Sequence, residues 1–300
     1  MKNAGVHAGH VAIDDSHRSS TVSDYIALTK PRLNLLVVLT SAAGYHLGDA
    51  TSFSVWSMTQ AIGGTALVAG GAAVLNQVYE RDTDAMMRRT RLRPLPDGRV
   101  QPADALVYGI ALAACGLAML AFVNITAALL AIATLVVYLF VYTPMKRRSP
   151  VATLVGAIPG ALPPLIGWTA ARGEMTLGGW TLFAIVFLWQ VPHFMAIAWM
   201  FRDDYRAAGF PMLPVIDPEG HRASRQAVWY ALALVPISLA PTWAGVSGPM
   251  YLWTALVLSM ALLVIAVWFS RARSEQAARW LFLGSIVYLP LSWMAMVLDH

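Results

Sequence analysis

SMTQAIGGTALVAGGAAVLNQVYERDTDAMMRRTRLR, residues 57–93, begins as an apolar run and ends in dense charge. The run at 57–79 has the length of a helix crossing a hydrocarbon layer of about 30 Å at 1.5 Å per residue. Towards its end Asn76, Glu80 and Asp84 recur at i, i+4 and i+8. That spacing lines up an amide and two carboxylates on one helical face, over about 12 Å of axis, while Asp82 points elsewhere. All three can offer oxygen to a hard cation. Arg88, Arg89, Arg91 and Arg93 follow at once, and a phosphorylated substrate held by magnesium needs both the oxygens and the guanidinium forks. A basic loop after an apolar helix is ordinarily a topology signal. Several carboxylates on one face at a membrane edge are costly, and a cation or a polar cavity would account for them.

The rest of the chain repeats the apolar half of this pattern. The protein is 58% hydrophobic and only 12% charged, with a mean hydropathy of +0.59, which exceeds what a soluble core requires and excludes a single soluble domain. Apolar runs fall at roughly 33–48, 57–79, 103–122, 125–142, 151–171, 178–201, 227–246, 250–269 and 278–297, each near the ~20 residues of a span. The expected fold is therefore all-α, a polytopic membrane bundle of about nine transmembrane helices, occupying residues 25–300. Residues 1–24 are polar, hold His7, His10 and His17 and lack the apolar core of a secretory signal, so they read as a disordered cytoplasmic tail.

Charge gives the orientation. Arg88 to Arg99, then Lys146 to Arg148, then Arg202, Arg206, Arg222 and Arg225, then Arg271, Arg273 and Arg279 follow spans two, four, six and eight. The intervening loops carry little basic charge apart from Arg172, so the positive-inside rule places the N-terminus and the basic loops in the cytoplasm and Asp299 and His300 outside. The net charge of +5 suits an anionic lipid face and anionic substrates; no nucleic-acid motif occurs. Cys115 has no partner for an internal disulfide and reads as a packing residue within ALAACGLAML.

Two further constellations lie at the same ends of spans as the first. YTPMKRRSP, residues 142–150, sets Tyr142 four residues before Lys146, with Pro144 disturbing the helix end. WQVPHFMAIAWMFRDDYRAAG, residues 189–209, carries Trp189, Gln190 and His193 inside span six and Asp203, Asp204 and Tyr205 beyond it. A histidine in an apolar span needs a partner or a ligand, and the carbonyl freed by Pro192 is one candidate partner. Asp204 stands after span six as Asp84 stands after span two, a faint internal repeat. GAIPGALPPLIGW, residues 156–168, is a Gly- and Pro-rich span suited to close packing or to lining a cavity. Lys30 and Arg32 flank Pro31 at the membrane surface, ahead of the first span.

With LTKPR (28–32), NQVYERDTDAMMRRTRLRP (76–94), YTPMKRRSP (142–150), GALPPLIGW (160–168), FLWQVPHFMAIA (187–198) and DYRAAGFPMLPV (204–215) in view, the chain resembles the haem O synthases, the protohaem IX farnesyltransferases of the UbiA superfamily of intramembrane prenyltransferases. The resemblance implies nine helices around a central cavity in the cell (inner) membrane, Mg²⁺ as cofactor, and farnesyl diphosphate and haem B as substrates. It also implies a haem A-forming enzyme or a terminal oxidase as recipient of the product. Asn76, Asp82, Asp84, Arg89 and Arg93 match the family's first motif, Tyr142, Lys146 and Arg147 its middle loop, and His193, Asp204 and Tyr205 its later motif. Glu80 departs from the usual aspartate by one methylene.

The site so implied uses Asn76, Glu80, Asp84 and Asp204 for metal and catalysis, with Tyr205 beside them. Lys30, Arg32, Arg89, Arg93, Tyr142, Lys146 and Arg147 would hold the diphosphate, and His193, Trp189 and Gln190 the haem. Three competitors remain: a UbiA-type enzyme acting on an aromatic quinone precursor, a membrane transporter coupling ions through its carboxylates, and a structural assembly partner of an oxidase.

Overall fold

The computed structural model describes residues 20–48 and 54–300. Most of the tail expected at 1–24, including its three histidines, lies outside the described residues. Of its last five residues, Val22, Ser23 and Asp24 already belong to a helix. The described residues are helical, with no strand among them. In chain order the helices are α1 Val22–Leu28, α2 Pro31–Gly48, α3 Val55–Met86, α4 Pro102–Val123, α5 Ile125–Val136, α6 Thr143–Met145, α7 Ala152–Arg172, α8 Leu177–Met200, α9 Arg202–Ala207, α10 Leu213–Ile216, α11 His221–Trp243, α12 Pro249–Ala272 and α13 Glu275–Leu298.

A π-helical turn at Val137–Tyr142 joins α5 to α6, so the described residues form nine long rods, as the apolar runs foretell. Seven are long and apolar enough to cross a membrane, and α1 with α2 makes an eighth as a pair bent by 54°. The ninth, α11, falls short because Arg222, Arg225, Pro236 and Pro241 dilute its apolar surface. Large apolar side chains such as Phe122, Phe140, Trp253 and Val264 face outward, as a helix surface in lipid requires. Cys115 is exposed on α4 and does not pack inside as expected; its neighbours on the chain turn inward instead, with Ala113 and Gly116 buried.

Close approach replaces bulk where rods cross. A methyl added at Gly44 on α2 would run into the Pro164 carbonyl of α7, and one at Gly167 on α7 would meet the Ser41 carbonyl of α2. Backbone-to-backbone contact of this kind is how membrane helices gain packing without a hydrophobic drive. Gly167→Ala should therefore lower the melting temperature of the purified protein, by the equivalent of about 1–3 kcal/mol of overpacking. An unchanged melting curve would mean that the two helices are free to part.

Between α3 and α4 the same device recurs at Gly71 and Gly64, where an added methyl would lie 2.7 Å from the Gly109 carbonyl and 2.9 Å from the Gly116 carbonyl. The main core lies among α8, α11, α12 and α13, with Trp189, Tyr251, Phe269 and Tyr288 buried. A second lies among α3, α4, α5 and α7 around Leu120, Leu162, Leu165 and Ile166. At 32 residues α3 is the longest rod. Its ~48 Å exceeds the ~30 Å hydrocarbon thickness, so its last turns project past the apolar layer and carry the carboxylates with them.

Candidate active site

Asn76, Glu80 and Asp84 lie along the charged end of α3 and all three are buried, with relative exposures of 2%, 7% and 2%. Carboxylates so placed need opposite charge, and each has its own cation. The Lys146 ammonium donates to both Glu80 oxygens, at 2.7 and 3.0 Å, and Arg93 Nη1 donates to Asp84 Oδ2 at 2.7 Å. Asn76 Nδ2 donates to Thr143 Oγ1 at 3.1 Å, tying α3 to the turn that carries Lys146. Thr90 Oγ1 donates to the Asp84 carbonyl at 2.7 Å and folds the arginine loop back over the helix end.

Burial disfavours the Lys146 ammonium, but the facing Tyr142 hydroxyl and Glu80 carboxylate outweigh it and hold the pKa above the ordinary lysine value. Lys146 also sits over two rings, Tyr142 at 5.1 Å and Phe210 at 5.7 Å, an arrangement that steadies a cation with little water around it. From the segment after α8, Tyr205 reaches the same region: its hydroxyl accepts from Arg89 Nη2 at 3.4 Å. Arg89 in turn lies 4.8 Å over the Phe201 ring. Lys30 is in the break between α1 and α2, and the charges that act on it are those of Arg93, Lys146, Asp84 and Glu80.

Thus Lys30, Asn76, Glu80, Asp84, Arg93, Tyr142 and Lys146 come together as the sequence suggests, with Arg89 and Tyr205 at their edge. Other residues named from the sequence do not join them. Arg32 and Arg147 are exposed and form no ion pair among the described residues. Asp82, matched to the first motif by resemblance, is exposed and paired with Arg81, as its helical phase requires. Asp204 is half-buried, and its carboxylate makes no hydrogen bond or ion pair among the described residues. Thr143, Thr90, Phe201 and Phe210 belong to the site and were not singled out. Thr143 could have been, because it lies between Tyr142 and Lys146 in the quoted motif.

The donor set fits magnesium. Glu80, Asp84 and the Asn76 amide are hard oxygen ligands on one face, and no hydrogen bond reaches the Asn76 carbonyl oxygen among the described residues. No three His, Cys, Asp or Glu side chains converge into a cage among the described residues. Magnesium rarely uses such a cage and takes one or two carboxylates, with waters and phosphate oxygens completing its shell.

Deeper in the bundle, Trp189 and Gln190 are spent on neighbouring helices. Trp189 Nε1 donates to the Ser285 carbonyl of α13 at 2.7 Å. Gln190 Nε2 donates to Ala157 of α7 at 3.2 Å and to Val186 at 3.0 Å. His193 does not take up the carbonyl freed by Pro192. Its Nδ1 lies 2.8 Å from the Ser285 hydroxyl, and its ring is stacked between Trp189 and Phe282, each 5.1 Å away.

Comparison with known proteins identifies the family. Residues 37–289 match the UbiA prenyltransferase family. A protoheme IX farnesyltransferase of Solibacter usitatus (strain Ellin6076) is 46% identical over 287 residues, covering 92% of this chain and 98% of that one. One from Myxococcus xanthus (strain DK1622) is 44% identical over 284 residues, covering 94% and 96%. The fold is shared with a UbiA homologue from Archaeoglobus fulgidus bound to GPP and Mg²⁺, at a TM-score of 0.64 and 18% identity over 91% of this chain and 99% of that one. The chain belongs to the UbiA prenyltransferase family, and its relatives there at over 40% identity across nearly their whole length are protoheme IX farnesyltransferases.

Proposed function

We propose that this chain transfers the farnesyl group of farnesyl diphosphate to a vinyl group of haem B, with addition of water, giving haem O and diphosphate. The observation that carries the diphosphate half is the pairing of Glu80 with Lys146 and of Asp84 with Arg93 in one buried cluster. Full-length identity with protoheme IX farnesyltransferases supports haem over an aromatic quinone precursor as acceptor. It also disfavours a transporter or an assembly partner.

In the reaction the allylic C–O bond breaks and diphosphate leaves with the electron pair. The farnesyl carbon then bonds to the terminal vinyl carbon, and water adds to the resulting cation and releases a proton. Held by Glu80, Asp84 and Asn76, Mg²⁺ would supply Lewis-acid stabilisation of the departing diphosphate. Lys146 and Arg93 supply the fixed positive charge that the leaving group meets, with Lys30 as a further contact to the diphosphate. On substrate binding Lys146 and Arg93 would exchange carboxylate partners for phosphate oxygens. The rings of Tyr142, Tyr205 and Phe210 border this cluster and can stabilise the allylic cation through their faces. The apolar helices below keep water from it. No protein nucleophile is required.

Purified protein given haem B, farnesyl diphosphate and Mg²⁺ should yield a haem that elutes later in reversed-phase chromatography. An unchanged haem with intact, folded protein would refute the assignment.

We assign His193 to the haem: its Nδ1 lies 2.8 Å from the Ser285 hydroxyl, its ring is stacked on two aromatic neighbours, and its Nε2 has no hydrogen-bond partner among the described residues. His193→Ala should weaken haem binding and shift the Soret band while farnesyl diphosphate binding and its Mg²⁺ dependence persist. A well-folded variant with unchanged haem spectrum and affinity would make His193 a packing residue.

The charge distribution supports a cytoplasmic site in the cell (inner) membrane, with the C-terminus outside. Reporters fused after Leu95, Arg148 and Val215 should score cytoplasmic, and those near Asn124, Glu174 and Gly248 external. An external score after Leu95 would reverse the site's face.

A further inference from the structure

Two contacts fix α1, one on the charged end of α3 and one on the loop that follows it, and neither involves a side chain assigned to a substrate. Gln77, 2% exposed, follows Asn76 directly and points to a different side of the helix. Its Nε2 donates to the Leu28 carbonyl at 2.6 Å and to Ala73 at 2.9 Å. Leu28 closes α1, so its carbonyl is one of the acceptors that a helix end leaves without an internal partner. Leu28 is fully buried, and water cannot take Gln77's place there without opening the contact.

At the other end of α1, Asp24 is 5% exposed and completes a capping box with Thr21. Its carboxylate also grips the Arg99 guanidinium. Arg99 is itself tied to the arginine loop, donating through Nη2 to the Leu92 carbonyl at 2.9 Å and through Nε to Asp97 at 2.8 Å.

Past this doubly anchored helix the chain turns by 54° into α2. Lys30 makes the turn with φ at 51°. A lysine in the left-handed region is strained and stays there only when its surroundings hold it. The charges facing it are Arg93, Lys146, Asp84 and Glu80. We propose that Gln77 and Asp24 are positioning residues that clamp α1 at its two ends and so hold Lys30, in its strained turn, on the diphosphate subsite. This rests on the reading of Lys30 as a diphosphate contact.

The test uses the purified full chain in detergent, carrying Gln77→Leu or Asp24→Asn, each alone and combined with Lys30→Met. Each clamp variant alone should raise the KM for farnesyl diphosphate about tenfold, with kcat within about threefold and the KM for haem unchanged. In the Lys30→Met background, adding either clamp substitution should move that KM by less than about twofold, because nothing remains to be positioned. Effects that multiply in the double variants would overturn the clamp while leaving Lys30 on the diphosphate. An unchanged KM in both clamp variants would overturn it as well. An unchanged KM in Lys30→Met alone would remove Lys30 from the subsite, and the clamp with it. Should Gln77→Leu fail to fold, Asp24→Asn, at the outer end of α1, carries the same comparisons.

Discussion

Asp84→Ala should lower turnover by about a thousandfold while the protein stays folded in detergent, because a group that stabilises developing charge is removed. Two losses combine in this variant. The departing diphosphate loses one of two carboxylate anchors for magnesium, and Arg93 loses the carboxylate that its Nη1 meets at 2.7 Å. Folding survives because Arg93 is partly exposed and can turn to water. Asp84→Asn should fall nearly as far, since it keeps the shape and loses the charge. Steady-state assays across a magnesium titration, with haem O measured chromatographically, check this. Activity near wild type at limiting Mg²⁺ would take Asp84 out of the site.

The second large effect belongs to Lys146 and shows in stability as well as rate. Lys146→Met leaves the buried Glu80 carboxylate without its cation, a defect that costs about 3–5 kcal/mol where a buried pair is broken on one side. Protonation of Glu80 sets the upper limit, because the carboxyl can shed its charge instead of staying ionised. Loss of a fixed cation at the leaving group should also reduce kcat by about 10²–10³-fold. The two effects can be separated. Glu80→Gln combined with Lys146→Met removes both charges, so the melting temperature should return most of the way while activity stays lost. A single Lys146→Met variant as heat-stable as the wild type would mean that Glu80 is not relying on this ion pair.

The spans were legible because a run of about twenty apolar residues has few ways to satisfy its backbone other than as a helix in lipid. Along one helix the side chains are also legible: the phase that lines up Asn76, Glu80 and Asp84 is the phase that turns Asp82 out to Arg81. The limit came where a side chain's fate depends on another rod. Gln190 and Trp189 lie beside His193 in the sequence, yet only the packing of α7 and α13 on α8 shows that their N–H donors are already taken. Arg32 and Arg147 share recognisable motifs with Lys30 and Lys146 and are still exposed; the break at Lys30 and the loop at Arg147 have no period from which direction can be read. The bond from Gln77 to the Leu28 carbonyl spans 49 residues, and its partner is a backbone atom that no residue type announces.

The π-helical turn at Val137–Tyr142 bears on how this site can change over time. A π turn holds one residue more than an α turn, so the chain beyond it is rotated by about 100° relative to an uninterrupted helix. Thr143 and Lys146 meet Asn76 and Glu80 in that rotated register. The meeting depends on how many residues precede it as well as on which ones they are. Point substitutions through this turn, those at Tyr142 excepted, leave the count intact and test only packing. Loss or gain of a single codon there would turn an unaltered Lys146 away from an unaltered Glu80, so in this part of the gene length is under tighter constraint than spelling.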